Sequence, residues 1–255
     1  MVKAFAKLSV RYGIGEISGL GYNLSVLKGG NCIIACLYNS FTTDIRIKIG
    51  ISMKRIIVVA LLSLGMTGLA QAAGNASAGE GKTAVCVACH GASGNDSLLP
   101  NVPKLGGQNE KYLLKQMQDI KSGTRAAPLM SGMLNALDDQ GMADVAAFYA
   151  SKAAPLGAAS EESLALGEVL YRAGNAEIGV AACTACHSPD GSGNAGAGYP
   201  ALAGQDAAYT ELQLKAFRTG ERHNDTTEEM RVTTARLNDA EISALASYVS
   251  GLRKL

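Results

Sequence analysis

Cys86-Val-Ala-Cys89-His90 and Cys183-Thr-Ala-Cys186-His187 write one pattern, Cys-x-x-Cys-His, twice in a single chain. The two-residue spacer puts both sulfurs on one turn of backbone, with a histidine directly behind them. This is the arrangement by which c-type haem is attached: two thioether links to the porphyrin, then an imidazole placed to bind iron. A zinc site fits poorly, because tetrahedral zinc needs four spaced ligands and the adjacent Cys and His would crowd one ion.

Working outward, Val102-Pro103-Lys104-Leu105-Gly106-Gly107-Gln108 parallels Tyr199-Pro200-Ala201-Leu202-Ala203-Gly204-Gln205 at an offset of 97 positions, which also separates the two histidines. The same offset pairs Tyr112 with Tyr209, Gln116 with Gln213, Gly123 with Gly220 and Arg125 with Arg222. It then grows by three, matching Met130 to Met230, Leu137 to Leu237, Asp139 to Asp239 and Phe148 to Tyr248. The chain therefore repeats one unit. Each copy has its own attachment motif, so these are two tandem domains rather than a solenoid.

Strand signals are nearly absent and the expected class is all-α. Apolar residues at helical spacing predict helices over 78–89, 111–122 and 138–151, with Asp138 or Asp139 as N-cap. In the second copy they predict helices over 163–173, 209–219 and 239–252. A Gly/Pro/Asn-rich loop follows each haem motif. A strap of about residues 151–161, with Pro155 and Gly157, joins the copies.

Residues 53–72 run from Met53-Lys-Arg through an apolar stretch, Ile56 to Leu69, to Ala70-Gln71-Ala72. That is a secretory signal with a small-residue cleavage site, too short for the roughly 20 residues of a comfortable membrane span. An uncleaved anchor is the alternative. Residues 1–52 lack a clear period, and their Cys32/Cys36 pair has no following His. They are expected to be an upstream extension that is not native, with Met53 as the true start; a real extra domain is the competing view. The domains expected are 73–154 and 155–255.

From Ala73 onward the chain has 15 Lys and Arg against 20 Asp and Glu, a net of −5 hidden within the whole-chain figure of +1. Residues 73–155 carry 7 of each sign, whereas residues 156–255 carry 8 basic and 13 acidic side chains. Such unevenness orients docking partners, although an ordinary soluble surface has similar counts. No basic run suggests nucleic acid. All four cysteines of this portion sit in the haem motifs. There is no Trp and only 4 Phe in the whole chain, so each small domain is expected to need its porphyrin as apolar filling.

His223 is the only other histidine, so the remaining axial ligand of two irons falls to methionine, the usual partner of His in cytochromes c. The first copy offers Met117, Met130, Met133 and Met142; the second offers Met230. The repeat selects Met130 and Met230, each seven positions before a matched leucine, with Met133 as the alternative to Met130. Metal ligands are thus expected at His90, Met130, His187 and Met230, and thioether anchors at Cys86, Cys89, Cys183 and Cys186. A ligating His usually donates its other ring N–H to a carbonyl, and Pro103 and Pro200 each lie thirteen positions after it. Tyr112/Tyr209 and Arg125/Arg222 are candidates for the haem propionates, or else surface residues of repeated helices.

With these residues in hand, the chain from Ala73 onward resembles the dihaem cytochrome c4 family. The resemblance rests on both haem motifs, Pro103-Lys-Leu-Gly-Gly-Gln108, Tyr112-Leu-Leu-Lys-Gln116, Met130-Ser-Gly-Met-Leu134, and Asn224-Asp225 leading to Met230. It implies two class I cytochrome c domains related by a pseudo-twofold axis, each wrapped around one covalent haem c, with His/Met ligation at both irons. It also implies an electron carrier rather than an enzyme. The expected localisation is the periplasm, at most peripheral to the inner membrane. Partners would be redox protein donors and acceptors, including a membrane respiratory complex and a terminal oxidase, with no small-molecule substrate. A dihaem peroxidase is the enzymatic rival; it needs an iron with a displaceable ligand and acid–base groups nearby. A haem subunit docked permanently to a dehydrogenase or oxidase is the other.

Overall fold

Capping side chains set where each helix begins. Asn75 accepts from Ala78 N and opens α1, Ala76–Glu80. The chain turns at Gly81–Thr83 and continues as α2, Ala84–His90. The single helix expected over 78–89 is therefore two, and the turn frees Lys82 to reach Asp144 at 2.5 Å. The first lobe continues with α3, Glu110–Ser122, a 3-10 turn, Pro128–Met130, and α4, Asp139–Ala150. Asp138 caps α4 by accepting from Gly141 N at 2.7 Å. The second lobe has α5, Glu161–Ala173, α6, Thr184–His187, α7, Ala207–Thr219, α8, Glu229–Thr234, and α9, Asp239–Gly251. A reciprocal capping box between Asn238 and Glu241 starts α9. The computed structural model describes residues 73–97 and 99–254; segments 1–52 and 53–72 lie outside the described residues. Among the described residues there is no strand, only two isolated bridges, Asn175–Val180 and Asn194–Tyr199. None of the described helices is long and apolar enough to cross a membrane.

Packing repeats the sequence repeat. In the first lobe α4 lies against α1 and α3; in the second α9 lies against α5 and α7. A glycine sits at each first crossing. A Cβ on Gly79 would fall 2.1 Å from the Asp144 carbonyl oxygen, and one on Gly167 would fall 2.4 Å from that of Ala244. Only glycine lets these backbones approach so closely. The lobes bury separate apolar clusters: Leu113, Val145, Ala146, Phe148 and Tyr149 in the first, and Leu170, Tyr171, Val180, Leu237, Ile242, Leu245, Tyr248 and Val249 in the second.

Several of the hydrogen bonds between the lobes occur in matched pairs. Gln108 donates to Ala201 O at 2.8 Å and accepts from Ala201 N at 2.7 Å. Gln205 repeats this with Lys104, at 3.0 and 2.9 Å. Arg125 donates to the Tyr209 hydroxyl at 2.9 Å and to Gln213 at 3.1 Å, while Arg222 donates to the Tyr112 hydroxyl and to Gln116, both at 3.0 Å. Every one of these bonds maps onto its counterpart by the offset of 97, which is what a pseudo-twofold axis requires. The strap is held to both lobes. Asn95 donates to Ala153 O at 2.8 Å, Ser250 to Ala158 O at 2.8 Å, and Ser160 N to the Ser247 hydroxyl at 2.8 Å.

Candidate haem-binding sites

Cys86, Cys89 and His90 occupy the last turns of α2, and Thr184–His187 of α6 carries the second motif behind Cys183. None of the four motif cysteines is engaged in a disulfide. Cys86 packs against the first apolar cluster and Cys183 against the second. Burial raises the pKa of the Cys86 thiol, and burial drives that of Cys183 up to about 11. Among the described residues no three His, Cys, Asp or Glu side chains gather where they could hold a metal ion, so the motifs do not form zinc-type clusters.

Both histidines are buried, each 6 % exposed. His90 Nδ1 lies 2.8 Å from Pro103 O, and His187 Nδ1 lies 3.0 Å from Pro200 O. A carbonyl accepts only, so Nδ1 must be the protonated nitrogen and Nε2 keeps its lone pair. Burial lowers both imidazole pKa values, outweighing the opposing pull of the carbonyls. Each site thus presents a neutral imidazole of fixed tautomer, the ligating form. The carbonyl partners expected from the sequence are those observed.

The methionines separate by burial. Met142 is 1 % exposed within the α4 core, and Met117 packs beside the first apolar cluster. Met133 is 47 % exposed. Met130 is half-buried at the end of the 3-10 turn and lines an open pocket of about 380 Å³ with Ile120, Leu134 and the polar Lys121, Ser122, Ser131 and Asn135. Met230, also half-buried, lies in the first turn of α8, a helix that the polar run around it did not suggest. Its carbonyl accepts from Thr234 Oγ1 at 2.7 Å.

The residues of both motifs fit haem c: two cysteines one turn apart, a tautomer-fixed imidazole and an apolar cluster against the first cysteine. Tyr149 Oη is buried beside the Cys86 sulfur in the first lobe.

The Arg and Tyr pairs considered for the propionates bond across the lobes. Each guanidinium is held by the tyrosine and glutamine of the opposite lobe. Burial alone would raise the Tyr112 phenol pKa, but Arg222 and Arg125 outweigh it and hold that pKa below its usual value. Sequence comparison between the copies located these residues but not their partners. The available signal was spacing: Tyr112 and Gln116 lie four positions apart on α3, on a single helical face.

These sites define a c-type cytochrome with one attachment site per lobe, and comparison with known proteins agrees. The family model for cytochrome c matches residues 78–151 and 165–253. Cytochrome c4 of Pseudomonas aeruginosa is 52 % identical over 201 residues, covering 78 % of this chain and 100 % of the relative. The crystal structure of reduced recombinant cytochrome c4 from Pseudomonas stutzeri matches with a TM-score of 0.69 and 49 % identity, over 71 % of this chain and 100 % of that one. A protein of Thiomonas intermedia named thiosulfate dehydrogenase electron acceptor is 37 % identical, covering 78 % of this chain and 92 % of its own. The chain belongs to the dihaem cytochrome c4 family. It is an electron-transfer cytochrome with two covalently bound haem c groups, and its partners are redox proteins.

Proposed function

We propose that the protein is a periplasmic carrier passing single electrons from respiratory-chain donors to a terminal oxidase or similar acceptor. In this proposal residues 53–72 direct export and are removed, and domains 73–154 and 155–255 each hold one haem. Cys86 and Cys89 anchor the first group, and Cys183 and Cys186 the second. His90 with Met130, and His187 with Met230, would hold the two irons. The observation that carries this assignment is the imidazole-to-proline carbonyl bond, made at 2.8 and 3.0 Å in the two lobes by residues at matching positions.

Each haem, when bound, supplies a one-electron iron couple. The residues of the chain do the rest. The Pro103 and Pro200 carbonyls hold the imidazoles in the ligating tautomer and raise their basicity. The thioethers and the apolar clusters favour the reduced state and raise the potential. Imidazoles held by the proline carbonyls would keep their place in both oxidation states, which would limit the rearrangement that opposes transfer. The acidic surplus of the second half, 13 acidic against 8 basic side chains, supports unequal partners for the two lobes. A relative named as the electron acceptor of a dehydrogenase supports a place downstream of an oxidising enzyme.

The test is haem quantification with visible and near-infrared spectra of exported protein, together with its intact mass. Two covalent haems per chain, each with an iron–thioether band, and a mature N-terminus at Ala73 are expected. A high-spin iron would favour the peroxidase-like enzyme instead. A mature species retaining any of residues 1–52 would overturn the start at Met53.

A further inference from the structure

The pseudo-twofold is broken on one side. Asn224 Nδ2 donates to Gln116 Oε1 at 2.9 Å and to Asp119 Oδ2 at 2.6 Å, both on α3 of the opposite lobe. Its Oδ1 accepts from Arg222 Nε at 3.0 Å. Its backbone carbonyl accepts from Lys115 Nζ at 2.9 Å, and Lys115 is itself ion-paired with Asp119. Asn224 is 7 % exposed. By the offset of 97, the counterparts of Lys115, Asp119 and Asn224 are Leu212, Ala216 and Ala127, which can make none of these side-chain bonds.

This pin reaches the methionine. Asp225, the next residue, accepts from Arg231 N at 2.9 Å and from Arg231 Nε at 2.8 Å, so residues 225–231 close on themselves around Met230. The corresponding stretch of the first lobe, residues 126–131, is apolar except for Ser131, the counterpart of Arg231. Its turn is closed by a backbone bond, Met130 N to Ala127 O at 2.9 Å. Among the described residues no side-chain hydrogen bond reaches it, and the open pocket of about 380 Å³ lies beside Met130.

We propose that Asn224 is a positioning residue for the second thioether, so that the two irons differ in how readily methionine gives way to an external ligand, with Met130 leaving first. This rests on Met130 and Met230 being the axial ligands. Releasing a ligand methionine means moving its loop. Moving the Met230 loop breaks buried, charge-assisted bonds, whereas the Met130 loop opens at little cost.

The test is titration of the oxidised holoprotein with imidazole, read by the far-red iron–thioether band and by the paramagnetically shifted methionine methyl resonances. Two steps of equal amplitude are expected, with midpoints at least about tenfold apart, the size set by one hydrogen bond to a charged group. Met130→Ala should abolish the step at lower imidazole. Adding Asn224→Ala to that variant should lower the remaining midpoint by about tenfold. Lys115→Leu, which installs the side chain of the second copy, should move it the same way by less. A single step in the unmodified protein, loss of the higher step in Met130→Ala, or unmoved midpoints in the Asn224 and Lys115 variants would overturn the proposal. A full-strength thioether band in Met130→Ala would instead overturn the ligand assignment beneath it.

Discussion

Arg222 spans the two lobes to donate to the hydroxyl of Tyr112 at 3.0 Å, and it is itself only 8 % exposed. A buried guanidinium depends on each acceptor it has, because one stranded from its partners incurs the full desolvation cost. Tyr112→Phe should therefore destabilise the holoprotein by about 1–3 kcal/mol. Tyr209→Phe, whose partner Arg125 is less buried, should cost less. Guanidinium denaturation followed by haem absorbance measures both. Equal and negligible effects would show that the hydroxyls contribute shape alone.

Adding one methyl group at a helix crossing tests the packing. Gly79→Ala and Gly167→Ala would each drive a carbon into an opposing carbonyl, at 2.1 and 2.4 Å. Alanine favours helix by up to about 1 kcal/mol over glycine, but overpacking costs about 1–3 kcal/mol and more where backbone must shift. Both variants should lose stability in denaturant titrations, and unchanged midpoints would contradict the crossing geometry.

Asp144 gives a prediction in pH. It accepts from Lys82 at 2.5 Å, from Asn75 N at 2.9 Å and from Gln140 at 2.9 Å. These bonds, the lysine contact first, lower its pKa to about 2, against about 3.9 for an unfolded aspartate. The folded-state pKa is depressed, so the stabilisation is complete above about pH 4 and disappears as pH falls towards 2. Asp144→Asn should be less stable than the unmodified protein at neutral pH, and the gap should close across that window. Denaturant midpoints at a series of pH values test this; a gap constant down to pH 2 would refute it.

The axial assignment predicts a contrast between neighbours. Met130→Leu should remove one of two iron–thioether bands and lower the potential of one haem. Met133→Leu, at a site 47 % exposed, should leave both bands intact. The reverse pattern would move the ligand to Met133.

Local features and features shared by both copies were legible in the sequence. The cap at Asp138, the helix over 111–122 and the proline carbonyls facing the histidines all follow from spacing within a copy. The break at Gly81–Thr83 was not anticipated, although Gly79 and Gly81 are poor helix formers; the contact that goes with it, Lys82 to Asp144, is tertiary and leaves no mark in the local sequence. The helix around Met230 was hidden by its polar composition, since what fixes it is the Asp225–Arg231 closure rather than an apolar stripe. The interface partners were hidden for another reason. Self-comparison marks the positions that repeat, but both copies show the same residues whether they face each other or solvent. Asn224 carried no repeat signal at all, because its role exists in one copy only.

With Ala153, Ala158 and Ser160 each bonded to a lobe, the strap is built as a splint and not as a hinge. Two redox centres joined by a splint would travel as one particle, tumbling at a single rate. The spacing between them would stay the same whichever end meets another molecule, so a collision at one end would not stretch the route taken inside.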